Sequence, residues 1–210
     1  TNGAAMRIAP VGCLVPAAEH EMLAETVARV SRVTHSTDVA ISGAAMVAQA
    51  VASAVAGRSW AEIRADVAAI HPIALAKGEP TWAASVLSRL EAFEALLATL
   101  GDEPSEEEVS LMIYRAIGTG TMTSESVAAA LAVAFWCADP WDAAVMCANM
   151  GGDTDTMGAM ACSICGAKVG LSAMPEDVVR RLEETNGLDF RALAQKIVDA
   201  RSAFKLETIR

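Results

Sequence analysis

MGGDTDTMGAMACSICGA, Met150 to Ala167, places Asp153 and Asp155 two residues apart between glycines and threonines, then runs straight into small apolar residues. Gly151 and Gly152 permit backbone conformations closed to other residues, so the chain turns sharply there. The residues on either side read as helices, one from Pro140 to about Asn149 and one from Thr156 to Lys168. Alanine and glycine are so frequent in them that their axes must pack closely.

Working outward, the same pattern continues in both directions. Pro16–Val33 reads as an amphipathic helix. Ser36 and Thr37 can cap a second, Asp38–Ala56, closed by Gly57. Ser59 caps a third through Ile70, which His71-Pro72 is expected to stop. Further helices are predicted over Thr81–Leu100, Glu106–Ile117, Ser124–Cys137, Pro175–Asn186 and Phe190–Phe204. Ser124–Cys137 is almost wholly apolar and therefore central. No stretch alternates with period two, and aromatics are 4% of the chain. The expectation is an all-α fold, one compact multi-helix domain over residues 1–210 with no heptad that would make a coiled coil.

Composition narrows the functional classes. Hydrophobic residues are 53% and charged ones 20%, which excludes disorder as the ground state. Uninterrupted apolar runs stay short of the roughly 18 residues of a membrane helix, so no membrane role is expected. A net charge of −10 argues against a broad nucleic-acid footprint. Five cysteines without a secretory leader suit a reducing cytoplasm better than a disulfide framework. Cys162 and Cys165 form a CxxC, but on a helical pattern, where a packed face is the simpler reading than redox or zinc chemistry.

The Asp153–Thr156 turn invites two readings. The small residues after it place it in the interior or at the floor of a cleft, where two ionised carboxylates need compensation that a hard divalent cation would supply. Alternatively, Asp153 or Asp155 merely caps the next helix, with Thr154 and Thr156 assisting. One aspartate would suffice for that.

NMGGDTDTMGAMA closely resembles the signature of the ADP-ribosylglycohydrolase family, and other segments resemble that family in order along the chain. TNGAAMRIAPVG (Thr1–Gly12) resembles its phosphate-approaching segment, THSTDVAISGA (Thr34–Ala44) its THxxxxA segment, and ESVAAALAVAF followed by WDAAVMCANMGGDTDT its run into the metal loop. The resemblance implies an all-α fold with two Mg²⁺ or Mn²⁺ ions. It implies Asp153, Asp155 and Thr156 as metal ligands, with Asp155 the bridge. It also implies a ligand site formed by Asn2, Gly3, Ala4, Met6, His35, Gly151 and Gly152, with ADP-ribose or a ribosylated small molecule or protein as partner. The bland readings stand beside these: an ordinary turn at Asn2-Gly3, a core histidine at His35, a structural arginine at Arg7.

The family also carries an upstream helical segment with a catalytic glutamate and a TDDT-type motif, and neither TDD nor DDT occurs here. The expectation is that these residues represent the C-terminal portion of the fold. The missing ligands and the catalytic glutamate would come from a complementary N-terminal chain or segment. Cleavage before Thr1, truncation, or self-processing that exposes a Thr1 nucleophile would each produce this start. The implied activity is hydrolysis of an N- or O-glycosidic bond at the anomeric carbon of ADP-ribose or a related ribosyl group. The rivals are a non-catalytic binding or structural descendant and a nucleoside-type N-glycosidase.

Overall fold

A computed structural model describes residues 1–208, with side chains described to residue 203. Its centre is α3 (Asp38–Val55), in which every residue from Ala40 to Ala54 is buried. Small side chains make that burial achievable, because neighbouring helices approach to near backbone contact. A Cβ at Gly43 would overlap the Thr123 side chain, and one at Gly12 would overlap the Ala48 carbonyl.

Around α3 are packed α1 (Ala9–Leu14), α2 (His20–Ser31), α4 (Trp60–Leu75), α7 (Thr123–Cys137) and α9 (Thr154–Val169). The layer is completed by α5 (Val86–Leu97), α6 (Glu106–Met112) and α8 (Pro140–Met150), followed by α10 (Glu176–Asn186) and α11 (Phe190–Thr208). Among the described residues there is no strand. A single parallel bridge joins Thr37 to Glu79. The all-α expectation holds. By length and composition α3 could cross a membrane, but 83% of it is buried inside this fold. As the sequence predicts, α7 is central, with Thr123–Ala134 buried apart from the half-buried Glu125.

Several boundaries differ from the sequence reading, each for a physical reason. Ser59 does cap α4, in a capping box with Glu62, but the helix runs through His71-Pro72 to Leu75. Pro72 is exposed and deletes one internal hydrogen bond. The next turn is held instead by Ala74, which is buried, and by His71, whose Nδ1 lies 2.6 Å from Ser42 Oγ on α3. Residues Thr81–Ser85 are irregular rather than helical, and the Asp38 carboxylate accepts from both Thr81 N (3.1 Å) and Thr81 Oγ1 (2.5 Å). Ser85 then caps α5 through Ser88 N.

At the front, Pro16–Glu19 is a turn and α2 starts at His20. The opening residues form a 3-10 turn, Asn2–Arg7, and then α1, neither predicted from the sequence because both are too short to show a period. The helix predicted over Glu106–Ile117 is α6 followed by a wider π-helical turn, Ile113–Ile117, ending at Gly118 with φ +90°. All five cysteines are free, and burial pushes the Cys137 and Cys147 thiols up to about 12 and Cys165 still further. Cys162 Sγ contacts Pro140 O and Cys165 Sγ contacts Ala134 O, so the CxxC is a packed helix face.

Candidate active site

Two glycines in a row, Gly151 and Gly152, both adopt φ +84° and turn the chain from α8 into α9. For Gly152 the absence of a side chain is doubly required: a Cβ would also overlap the carbonyl and side chain of Thr119. That approach lets Asp153 N donate to Thr119 O at 2.7 Å. Thr119 in turn lies on a turn clamped by Glu125, whose Oε2 accepts from Gly120 N at 3.1 Å.

Asp153 is the N-cap residue of α9, yet its side chain makes no capping bond to the helix. Its Oδ2 instead accepts from Asn2 Nδ2 at 2.5 Å. The opening segment is thus fastened to the aspartate turn. Asn2 N donates to Thr121 O at 3.1 Å, and Thr123 Oγ1 donates to Thr1 O at 2.7 Å. On the other side, Met6 Sδ lies 3.9 Å from Thr156 Oγ1. A cleft of about 240 Å³ is lined by Met6, Arg7, Asp155, Thr156 and Ala159.

His35 completes the neighbourhood. Its Nε2 lies 3.0 Å from Thr1 Oγ1 and its Nδ1 2.7 Å from Thr34 Oγ1, which also accepts from the Arg7 guanidinium at 2.6 Å. Gly3 lies against the imidazole, where a Cβ would come within 2.8 Å of the ring. Burial first, then nearby positive charge that includes Arg7, holds His35 below its ordinary value of 6.5, so it is neutral at neutral pH.

Of the residues singled out in the sequence, Asn2, Gly3, Met6, His35, Gly152, Asp153, Asp155 and Thr156 are therefore brought to one region from three distant parts of the chain. Gly151 adjoins it, beside the Tyr114 ring. Ala4 is buried in the core at 1% exposure, backbone included. Of the two places expected for the turn, the interior and a cleft, the structure shows the second: Asp153 is half-buried, and Asp155 is exposed and lines the cleft. Asp155 sits on the solvent side of the first turn of α9, where water and the helix N-terminus stabilise its charge. Desolvation alone therefore does not demand a cation.

Two carboxylates and a hydroxyl fit a hard divalent ion in kind. They could furnish no more than part of a coordination shell, since among the described residues no three His, Cys, Asp or Glu side chains converge. The sequence reading missed Thr119, Ser126 and Glu125, which hold the site from α7 and the turn before it. The polar start, Thr123-Ser124-Glu125-Ser126, of an otherwise apolar helix was the available signal.

Fold and site together define an all-α domain with an oxygen-donor turn between two core helices. The sequence profile described as ADP-ribosylglycohydrolase matches residues 1–205, and the chain belongs to that family. It is 41% identical over 202 residues to the uncharacterized protein YegU of Escherichia coli, covering 96% of this chain and 60% of that protein. It is 31% identical over 203 residues to an uncharacterized protein of Archaeoglobus fulgidus, covering 95% of this chain and 58% of that protein. The chain thus spans about three-fifths of the length of these curated relatives.

Proposed function

We propose that the chain forms part of the active site of a metal-dependent hydrolase that cleaves an N- or O-glycosidic bond at the anomeric carbon of ADP-ribose or a related ribosyl group. The observation supporting this most is the direct bond between the opening segment, at Asn2, and the aspartate turn, at Asp153. It joins the two stretches with the strongest family resemblance into one surface.

Asp153, Asp155 and Thr156 would hold Mg²⁺ or Mn²⁺, with further donors from a complementary segment. When bound, such ions supply Lewis-acid stabilisation and a positioned water. The chain's own residues bind and orient. Gly3 leaves room beside a neutral His35 ring, whose nitrogens are held by Thr1 and Thr34, and Arg7 brings positive charge to the rim of the cleft that contains Asp155. Such a rim suits a diphosphate. Positive charge develops at the anomeric carbon as the bond breaks, which the neighbouring carboxylates favour. The proton for the leaving group is assigned to a glutamate of the complementary segment. Five free cysteines suit a cytoplasmic protein.

Binding of ADP-ribose, ribose 5-phosphate and nucleosides, each with and without Mg²⁺, tests the reading. ADP-ribose should bind at least about tenfold more tightly than the other two, a difference of about 1.4 kcal/mol. Equal binding of a nucleoside would favour a nucleoside-type N-glycosidase instead. The presence of only two carboxylates at the turn supports a second reading, a non-catalytic ADP-ribose-binding descendant. It is distinguished by ADP-ribose binding without bond cleavage in the complete protein.

A further inference from the structure

We infer that Asn2, braced by Ser126, is a positioning residue that fixes the Asp153 carboxylate for cation binding; this rests on the metal-dependent reading above. Asn2 is 6% exposed and Ser126 is 0% exposed, so neither polar group has bulk water as an alternative partner. The Asn2 amide nitrogen carries two hydrogens. One goes to Ser126 Oγ at 2.8 Å and the other to Asp153 Oδ2.

Ser126 Oγ donates its own hydrogen to Met122 O at 3.1 Å, so towards Asn2 it is an acceptor. The chain of bonds therefore has one sense, from amide to hydroxyl to carbonyl on one branch and from amide to carboxylate on the other. A flipped amide would set its oxygen against the Asp153 carboxylate, acceptor against acceptor, and would draw the Ser126 hydroxyl away from Met122 O. The carboxylate thus fixes which way the amide points, Ser126 braces it there, and Asn2 in turn holds the carboxylate.

Asp153 has no competing anchor for its side chain, since it makes no capping bond to α9. Its backbone is pinned separately through Thr119 O. With Oδ2 tied to Asn2, Oδ1 is the oxygen left to a cation. Both amide hydrogens being committed, the Asn2 side chain has no donor left for a phosphate. Its chemistry is directed at Asp153. Ligand-orienting bonds of this kind change metal affinity by about 10- to 100-fold when removed.

The test is carried out on the complete protein, complementary segment included, with Mn²⁺ as the metal. Mn²⁺ affinity is measured by the spin-resonance signal of the free ion, and the Asn2 side-chain amide is followed by ¹⁵N NMR. The variants are Asn2→Ala, isosteric Asn2→Asp and Ser126→Ala, with Ile70→Val as a destabilised control remote from the turn. In the metal-free protein the Asn2 amide hydrogens should exchange slowly, and Ser126→Ala should speed that exchange. Mn²⁺ affinity should fall about tenfold or more in Asn2→Ala and Asn2→Asp, while Ile70→Val lowers the thermal midpoint and leaves the affinity unchanged.

A fast-exchanging Asn2 amide indifferent to Ser126→Ala, or wild-type Mn²⁺ affinity in both Asn2 variants, overturns the positioning role alone. If the unsubstituted complete protein takes up no Mn²⁺ while its Asn2 amide stays protected, the metal-dependent reading is what has failed, and the role falls with it.

Discussion

Gly151 and Gly152 share φ +84° but differ in surroundings, and that difference is measurable. Gly151 has room for a methyl group, its nearest neighbour being Tyr114 Cε2 at 3.6 Å, whereas Gly152 has Thr119 in the way. Gly151→Ala should cost only backbone strain, about 1–3 kcal/mol. Gly152→Ala should cost about 1–3 kcal/mol more from overlap and should displace Asp153 from Thr119. Gly166, in the interior of α9, should behave oppositely, because a methyl group there would meet nothing within 4 Å. Gly166→Ala should stabilise by up to about 1 kcal/mol. Thermal denaturation of the three variants gives the order directly, at about 2–4 °C per kcal/mol for a chain of this size. The need for Gly-Gly before the aspartates was legible in the sequence; that only the second touches another backbone was not, because Thr119 is remote in the chain.

At the scale of the element, α4 carries two opposed features. Exposed Pro72 interrupts its hydrogen bonding, and Pro72→Ala should stabilise the protein, by up to about 3 kcal/mol if the local backbone relaxes fully. His71, one residue earlier, is buried between Ser42 and Ser85. Burial holds its pKa below the ordinary 6.5 against the opposing pull of Glu91. The unfolded chain therefore takes up a proton at higher pH than the folded one. Stability should be full above about 6.5 and fall as the pH drops below it, until the folded pKa is reached. His35 acts with the same sign. Thermal midpoints measured from pH 8 to pH 5 (roughly the histidine range) should thus decline on the acid side, and His71→Asn should make that decline shallower without abolishing it. A Pro in the sequence reads as a stop signal, and here it misled. The turn beyond Pro72 is held by a tertiary bond from α3, which no local pattern displays. The same reason hid the irregular Thr81–Ser85 segment, whose first residue is held by Asp38.

For the whole molecule, α7 was recognised as core from composition alone, because a long run almost without charge has nowhere else to go; the central place of α3 was not read from the sequence. The site was legible as separate motifs, and the sequence reading assigned Asn2 and His35 to a common pocket only through family resemblance. Their actual junction depends on α7 and the turn before it, through Thr121, Thr123 and Ser126. Stability is also uneven across the fold. No residue of α10 is buried, whereas α3 is buried along almost its whole length. Amides of Glu176–Asn186 should exchange with solvent orders of magnitude faster than those of Ala40–Ala54, which should approach the global unfolding limit. Exchange mass spectrometry resolves the two segments. Equal protection would contradict the described packing.

The central claim is that the Asp153–Thr156 turn and the opening segment belong to one metal-dependent glycosidase site. Release of ADP-ribose from an ADP-ribosylated protein by the complete protein tests it most directly, with metal stripped and restored, in the wild type and in Asp155→Asn. The account predicts release that a chelator stops, that Mg²⁺ or Mn²⁺ restores, and that Asp155→Asn lowers by about 100-fold or more, at least about 2.7 kcal/mol of transition-state stabilisation. Release indifferent to both chelator and substitution, or none from any ribosyl linkage with metal present, would contradict it.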